Sequence, residues 1–357
     1  MFSNFFLRSF RILLLPFALV YWAVIALRNW LFDKNILKTA EFGLPLINVG
    51  NLSVGGTGKS PMVEYLLVLL KDQFKVATLS RGYKRKTKGY ALADDDTTAL
   101  EIGDEPMQFH LKFPDVPVAV GEQRIEAIPQ LLHDKPETQA IILDDAFQHR
   151  SIKAGLNILL TDYNNLFTRD FYLPTGDLRD LKSSYKRAEI IVVTKCKPDL
   201  SEEEKKKLVK EIAPLPQQHI FFTSIQYGSL YHIINNSVTR IDEETEVLLV
   251  SGIASPRPLK KWLEEYSSSY SLLQYADHHI FTIDDLNDIR KRFENMEETK
   301  KIILTTEKDA VRLVKFRQAI EGLPVYVVPI RHHFLFKDED KFNKLITDFI
   351  RNFKTQS

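Results

Sequence analysis

The sequence predicts an α/β protein: a mostly parallel sheet with helices on both faces, a second and smaller α/β unit, and an apolar N-terminal helix. Three observations carry this. Short apolar runs of strand length alternate with helix-period stretches over residues 41–215. A new strand–helix alternation begins near residue 243, after a cluster of short runs. The first forty residues differ in kind, with sixteen consecutive uncharged residues at 12–27. The expected division is a leader at 1–40, a main domain at 41–218, an antiparallel linker at 219–242 and a C-terminal α/β domain at 243–357. A chain of 357 residues accommodates this at ~100–200 residues per domain.

Composition narrows the classes. With 48 Lys+Arg against 47 Asp+Glu the net charge is +1, so no nucleic-acid partner held by bulk charge is expected. Hydrophobic residues at 44% and charged residues at 27% exclude wholesale disorder. The single cysteine, Cys196, excludes an internal disulfide and any Cys-cluster metal site. No obligate protein partner is called for.

In the leader, Arg28-Asn29-Trp30-Leu31 lacks the small residues of a signal-peptide cleavage site. Sixteen helical residues rise about 24 Å, short of the ~30 Å hydrocarbon core, and Pro16 removes a helix hydrogen bond or marks a break. A helix lying in or against a membrane surface is therefore expected ahead of a spanning or a buried core helix. Phe2, Phe5, Phe6 and Trp30 suit headgroup depth, and Arg8, Arg11, Arg28, Lys34 and Lys38 against Asp33 suit anionic lipid.

The run 45–49 reads as a strand and leads into Gly50-Asn51-Leu52-Ser53-Val54-Gly55-Gly56-Thr57-Gly58-Lys59-Ser60-Pro61, then a helical apolar stripe from Met62 to Leu70. Strand, Gly-rich turn, Lys-Ser and helix are the context of a phosphate-binding loop, so the main domain is read as P-loop NTPase-like. Glycines let backbone N–H groups turn toward phosphate oxygens, and the helix N-terminus adds its positive end. Ser53, Val54, Gly55, Gly56, Thr57, Gly58, Lys59 and Ser60 are the expected nucleotide contacts, with Lys59 on the β/γ-phosphates and the Ser60 hydroxyl on Mg²⁺. Ser53 stands where the usual pattern has glycine, so the loop is a variant. Pro61 fits the first helical turn.

A metal-side carboxylate belongs at the end of a neighbouring strand, and the run 140–143 ends in Asp144-Asp145. Such adjacent acids repel unless a cation sits nearby. The nucleotide is read as ATP: Thr194-Lys195-Cys196-Lys197 begins like a guanine-reading motif, but Lys197 replaces the aspartate. The lysine that opens the deviant loop of ParA/MinD-type ATPases is also missing, Val54 preceding Gly55-Gly56.

Further segments combine with the loop. They are Ser80-Arg81-Gly82-Tyr83, Gly103-Asp104-Glu105-Pro106, Leu143-Asp144-Asp145-Ala146-Phe147-Gln148-His149, Leu173-Pro174-Thr175-Gly176-Asp177-Leu178-Arg179-Asp180, Asp277-His278-His279 and Thr306-Glu307-Lys308-Asp309-Ala310. Together the sequence resembles the tetraacyldisaccharide 4′-kinases, the lipid A 4′-kinases of Gram-negative bacteria. The resemblance implies transfer of the γ-phosphate of ATP to the 4′-hydroxyl of an acylated glucosamine disaccharide 1-phosphate, at the cytoplasmic face of the inner membrane. It also implies that Asp104 is the base for the acceptor hydroxyl, paired with a histidine of the His278-His279 pair. Spacing does not choose between the two, and the preference falls on His279. Glu105, Asp144 and Asp145 are then the metal-side acids. Arg81, Tyr83, Arg124, Gln148, Arg179 and Asp180 are candidates for holding phosphate or lipid, since guanidinium forks match phosphate oxygens. Ser60 stands where the family commonly has threonine, and Asp180 where it commonly has glutamate. Lys84, Arg85, Lys86 and Lys88 form a basic loop suited to anionic headgroups.

The remaining elements follow in order. Runs at 75–79, 116–120, 157–160 and 189–193 complete the parallel set, and Ser201 with Glu204 forms a capping box before an exposed helix. Runs at 220–227, 230–234 and 238–241 suggest short antiparallel strands bridging to the second unit, which holds strands at 246–250, 301–304 and 325–328. Residues 338–353 have helical apolar spacing. The active site is expected in the cleft between the two units.

Overall fold

The computed structural model describes residues 11–253, 255–267 and 269–354. Phe2, Phe5, Phe6 and Arg8 of the leader lie outside the described residues. The strands are β1 (Leu46–Asn51), β2 (Val76–Ser80), β3 (Ala91–Leu92), β4 (Val118–Val120), β5 (Ala140–Asp144), β6 (Leu156–Asp162), β7 (Ile190–Thr194), β8 (His219–Tyr227), β9 (Leu230–His232), β10 (Val238–Thr239), β11 (Glu246–Ser251), β12 (Tyr270–Gln274), β13 (Lys301–Thr306), β14 (Val325–Val328) and β15 (Ile330–Phe334). The longer helices are α1 (Leu15–Asp33), α2 (Lys59–Leu70), α3 (Asp104–Lys112), α4 (Arg124–Asp134), α5 (Glu202–Ile212), α6 (Arg257–Leu263), α7 (Ile283–Glu294), α8 (Glu307–Leu313) and α9 (Glu339–Arg351).

Among the described residues two sheets form, nine strands in the order β15-β8-β7-β6-β1-β5-β2-β4-β3 and six in the order β10-β9-β14-β13-β11-β12. From β4 through β8 the large sheet is parallel. Its strands read as mainly apolar runs because both of their faces are buried. β1 lies between β5 and β6, with β2 to β5 on one side of it and β6 to β8 on the other, so the strand order switches direction there. Ligands of such sheets bind at that point, beyond the carboxyl ends of the strands. The phosphate loop follows β1, Arg81 follows β2, and Asp144-Asp145 closes β5.

The expected division at 219–242 and 243–357 does not match the strand pairing. β8 pairs in parallel with β7 and antiparallel with β15, so it extends the large sheet instead of bridging. The chain crosses into the small sheet at β9 and returns through β15. α9 then adds Phe342, Ile346 and Ile350 to the first core, the cluster that also holds Ile47, Met62 and Leu66. The apolar spacing of 338–353 identified the helix but not the sheet it covers. The turn at Asn235-Asn236-Ser237 does join two antiparallel strands, β9 and β10, and the Ser201–Glu204 capping box is present at α5.

α1 runs to Asp33, longer than the uncharged run, and Pro16 sits in its first turn, where no partner for its nitrogen is needed. Ala18, Asn29 and Phe32 face the protein, while Phe17, Val20, Val24 and Leu27 are exposed. The helix is held by polar contacts to loops beside the phosphate loop: Asn29 Nδ2 donates to Asp180 Oδ1 at 2.8 Å, Arg28 to the Gln148 carbonyl at 3.1 Å, and Tyr21 Oη to the Arg179 carbonyl at 3.3 Å.

Candidate active site

The loop after β1 is set by glycine geometry. Gly58 has φ +87° and starts α2, so its backbone takes the left-handed conformation that side chains resist. Asn51 Nδ2 donates to Thr57 Oγ1 at 2.9 Å, and the Val54 N–H donates to the Asp177 carbonyl at 2.7 Å. Ser53 forms a bridge with Leu178. The loop is therefore tied to the 177–179 segment instead of standing free. Lys59 Nζ lies 3.7 Å from Asp145 Oδ1. Ser60 Oγ donates to Glu105 Oε1 at 3.0 Å.

Asp104 and Glu105 lie in the first turn of α3. Unpaired N–H groups there favour carboxylates. The second unit meets them through α8: Lys308 Nζ reaches Glu105 Oε1 at 3.0 Å, and Arg312 Nε reaches Asp104 Oδ2 at 3.1 Å. His278 Nδ1 sits 3.2 Å from Asp104 Oδ2 and 3.0 Å from Arg312 Nη2. Burial alone would raise the Asp104 pKa, but the Arg312 guanidinium and His278 outweigh it and hold the carboxyl below its usual range. Glu105 is likewise held low, Lys308 and Lys59 overcoming burial. Asp144 goes the other way. It is 3% exposed, and burial with Glu105 and Asp145 nearby pushes it up to about 7. Asp145 is held low because Lys59 and Arg179 outweigh its burial.

Among the described residues no group of three or more His, Cys, Asp or Glu side chains forms a ready metal cage. The donor set still fits a hard cation. Asp144 Oδ1 is buried without a hydrogen-bond partner, and the Ser60 hydroxyl, Glu105 and Asp145 bring further oxygens to the same loop.

Three expected roles are corrected. His279 is not the histidine beside Asp104: its Nε2 bonds Asp285 Oδ2 at 2.9 Å, and its ring stacks on Tyr275, which turns it away. Arg124 is wholly buried at the start of α4, bonding the carbonyls of Gly121 and Asp144, so it braces Asp144 and is not open to a phosphate. Asp180 is 3% exposed and accepts from Asn29, Ser184, Arg187 and the Leu181 N–H, so it anchors α1. Of the other candidates, Arg179 pairs with Asp145 and Asn51, and Gln148 Nε2 bonds the Asn51 carbonyl at 2.7 Å. Arg81 is exposed after β2, and Tyr83, 67% exposed, lies edge-on to His278 with centroids 6.4 Å apart.

A family model described as tetraacyldisaccharide-1-P 4′-kinase matches residues 10–351. The chain belongs to this kinase family. It is 44% identical over 352 residues to the tetraacyldisaccharide 4′-kinase of Bacteroides thetaiotaomicron, covering 95% of this chain and 93% of that one. It is 45% identical over 342 residues to the Flavobacterium johnsoniae protein of that name, covering 96% and 97%. Among solved structures it resembles the "apo" form of LpxK from Aquifex aeolicus in complex with ATP, with TM-score 0.76 and 30% identity over 96% of this chain and 99% of that one. The kinase is thus an ATP-dependent enzyme of lipid A biosynthesis.

Two residues that the structure brings to the candidate site, Lys308 and Arg312, had no role assigned from sequence. Lys308 stood inside the quoted Thr306-Glu307-Lys308-Asp309-Ala310 segment. Arg312 lies one helical turn beyond Asp309, on the same face of α8, and that spacing was the available signal.

Proposed function

We propose that this kinase transfers the γ-phosphate of ATP to the 4′-hydroxyl of an acylated glucosamine disaccharide 1-phosphate where the phosphate loop, the start of α3 and α8 meet. The observation that carries this is Asp104. Its carboxylate is clamped by Arg312 and His278 from the second unit, one residue from the glutamate that touches Ser60 of the loop. The three hydrogen bonds to Asp104 end on Oδ2, which leaves Oδ1 to accept the hydroxyl proton as the sugar oxygen attacks. Phosphoryl transfer passes through a loose transition state, so a carboxylate held ionised and in place serves through orientation and late proton acceptance more than through basicity. Lys59 and the loop N–H groups take up charge on the β- and γ-phosphates. Ser60, Glu105, Asp144 and Asp145 would hold Mg²⁺, which when bound neutralises developing phosphate charge. Arg81 and Tyr83, both exposed, would meet the acceptor.

The acceptor's chains dictate location. At ~0.8 kcal/mol per buried CH₂, a four-chain lipid stays in its bilayer, and the exposed apolar row of α1 brings the protein to it. ATP is supplied on the cytoplasmic side, so the enzyme works at the inner-membrane surface facing the cytoplasm. For Asp104→Asn the expected result is a kcat about 10²–10⁴-fold lower with the ATP KM within threefold. Equal loss of kcat and ATP affinity would make Asp104 a nucleotide-side or structural group instead.

A further inference from the structure

Behind the phosphate loop, three donors meet three successive carbonyls. Lys195 Nζ donates to Gly56 O, Thr194 Oγ1 donates to Thr57 O at 2.8 Å, and the ring of His332 places Nε2 2.9 Å from Gly58 O. A carbonyl only accepts, so Nε2 carries the ring proton. Nδ1 is then bare and accepts from the Thr223 hydroxyl at 2.9 Å. The ring is 5% exposed. Burial pushes its pKa down to about 4, so it is neutral at neutral pH. The Gly58 carbonyl also takes the Met62 N–H at 3.1 Å, the first bond of α2, and His332 fills its second lone pair.

A trans peptide holds C=O and N–H on opposite sides. Fixing the Gly58 carbonyl toward His332 therefore aims the Lys59 N–H toward the mouth of the loop. A Cβ on Gly58 would lie 3.0 Å from His332 Cε1, so ring and loop are also in packing contact. We infer that His332 is a positioning residue for the nucleotide, holding the Gly58–Lys59 peptide so that its N–H faces the phosphates of ATP. His332 belongs to β15, the strand that brings the chain back from the small sheet, so the loop's geometry depends on a segment far beyond it in sequence. The inference rests on the reading that residues 53–60 hold ATP.

The test uses the full chain and measures the ATP KM, the acceptor KM, kcat and the Kd of a non-hydrolysable ATP analogue. Four variants are compared: His332→Ala, His332→Gln, Thr223→Val and Lys59→Ala. His332→Ala is expected to raise the ATP KM and the analogue Kd about tenfold or more, with kcat within threefold and the acceptor KM unchanged. His332→Gln, whose amide can donate to Gly58 O, should recover most of the affinity. Thr223→Val, which removes the partner that fixes the tautomer, should give an intermediate rise. The inference is overturned if His332→Ala melts earlier yet binds the analogue normally, or raises both KM values alike, or if Gln is no better than Ala. If His332→Ala does not fold, unchanged analogue binding by Thr223→Val overturns it. Lys59→Ala separates the two levels. Intact analogue binding by Lys59→Ala would sink the reading of the loop itself, whereas its loss alongside normal binding by the His332 variants would sink only the positioning role.

Discussion

The carboxylates around the loop show how position sets chemistry at single residues. Asp104 is ionised because α8 supplies a guanidinium, whereas Asp144 is pushed toward neutrality because burial and two neighbouring acids oppose its charge. Asp180, buried like Asp144, spends its oxygens on anchoring α1. Its pairing with Arg187 at 2.7 Å leaves the arginine uncompensated if the charge is removed. Asp180→Asn should lower stability by about 3 kcal/mol, the usual cost of breaking a buried pair, and shift the urea midpoint while the ATP KM stays within twofold. A loss of acceptor affinity without loss of stability would restore the substrate role expected from sequence. Much of the site was readable as motif: the loop, Asp104 and the strand-end acids are local patterns whose chemistry depends on residue type. The choice between His278 and His279 was not, because adjacent residues in a loop share every sequence property. His278 has φ +64°, and no spacing rule encodes which ring that conformation sends to Asp104. Arg124 misled for a related reason: an arginine at a helix start looks the same whether buried under a strand end or open to phosphate.

At the scale of elements, α2, α3 and α8 are locked together by a buried charge cluster beneath Asp104 and Glu105. Lys112, at the end of α3, bonds Glu64 of α2 and Glu307 of α8, each at 2.5 Å. Gln108 donates to Glu64 at 2.6 Å, and Tyr231 of β9 bonds Glu307. One lysine cannot balance two buried carboxylates, and Glu64, through burial first and Glu307 second, is pushed up to about 7. The sign follows from linkage. A carboxyl whose folded pKa is raised favours the fold while protonated in both states, and that advantage is lost between its ordinary pKa and about 7 as the unfolded chain releases the proton first. Stability should therefore fall from pH 5.5 to pH 8 by on the order of 1 kcal/mol through this group, and Glu64→Gln should flatten the trend in urea titrations. A wild-type slope retained in Glu64→Gln would assign it elsewhere. Fold legibility divides at this scale too. Most of the parallel strands were visible because burial on both faces makes them mainly apolar runs, whereas β8, parallel to β7, reads from sequence as part of an antiparallel bridge. β15, read as Ile-Arg-His-His-Phe, alternates polar residues at the sheet's edge and carried no such signal, so the return of the chain to the large sheet was missed.

For the whole molecule, the decisive asymmetry is that α1 covers one flank of the site with polar contacts and leaves a row of apolar residues outside. Val20, Val24 and Leu27 are 64%, 60% and 58% exposed, so they contribute little to the packed fold, yet they share a helix whose inner face touches the loops carrying Gln148, Arg179 and Asp180. A surface that meets lipid there would place the phosphate loop beside the bilayer, with Arg11 and Arg28 at the polar margin. Replacing the three exposed residues with serine removes apolar area that full burial would value at about 1.5–3 kcal/mol each. Even half insertion makes the loss equivalent to about a hundredfold in vesicle affinity. Sedimentation with anionic phospholipid vesicles should show that loss while the melting temperature stays within a degree or two. The acceptor KM should rise steeply when the lipid is presented in vesicles and stay within twofold when it is dispersed in detergent. Because the same variant is assayed both ways, a defect seen equally in detergent would mean that α1 shapes the catalytic cleft instead of delivering it to the membrane.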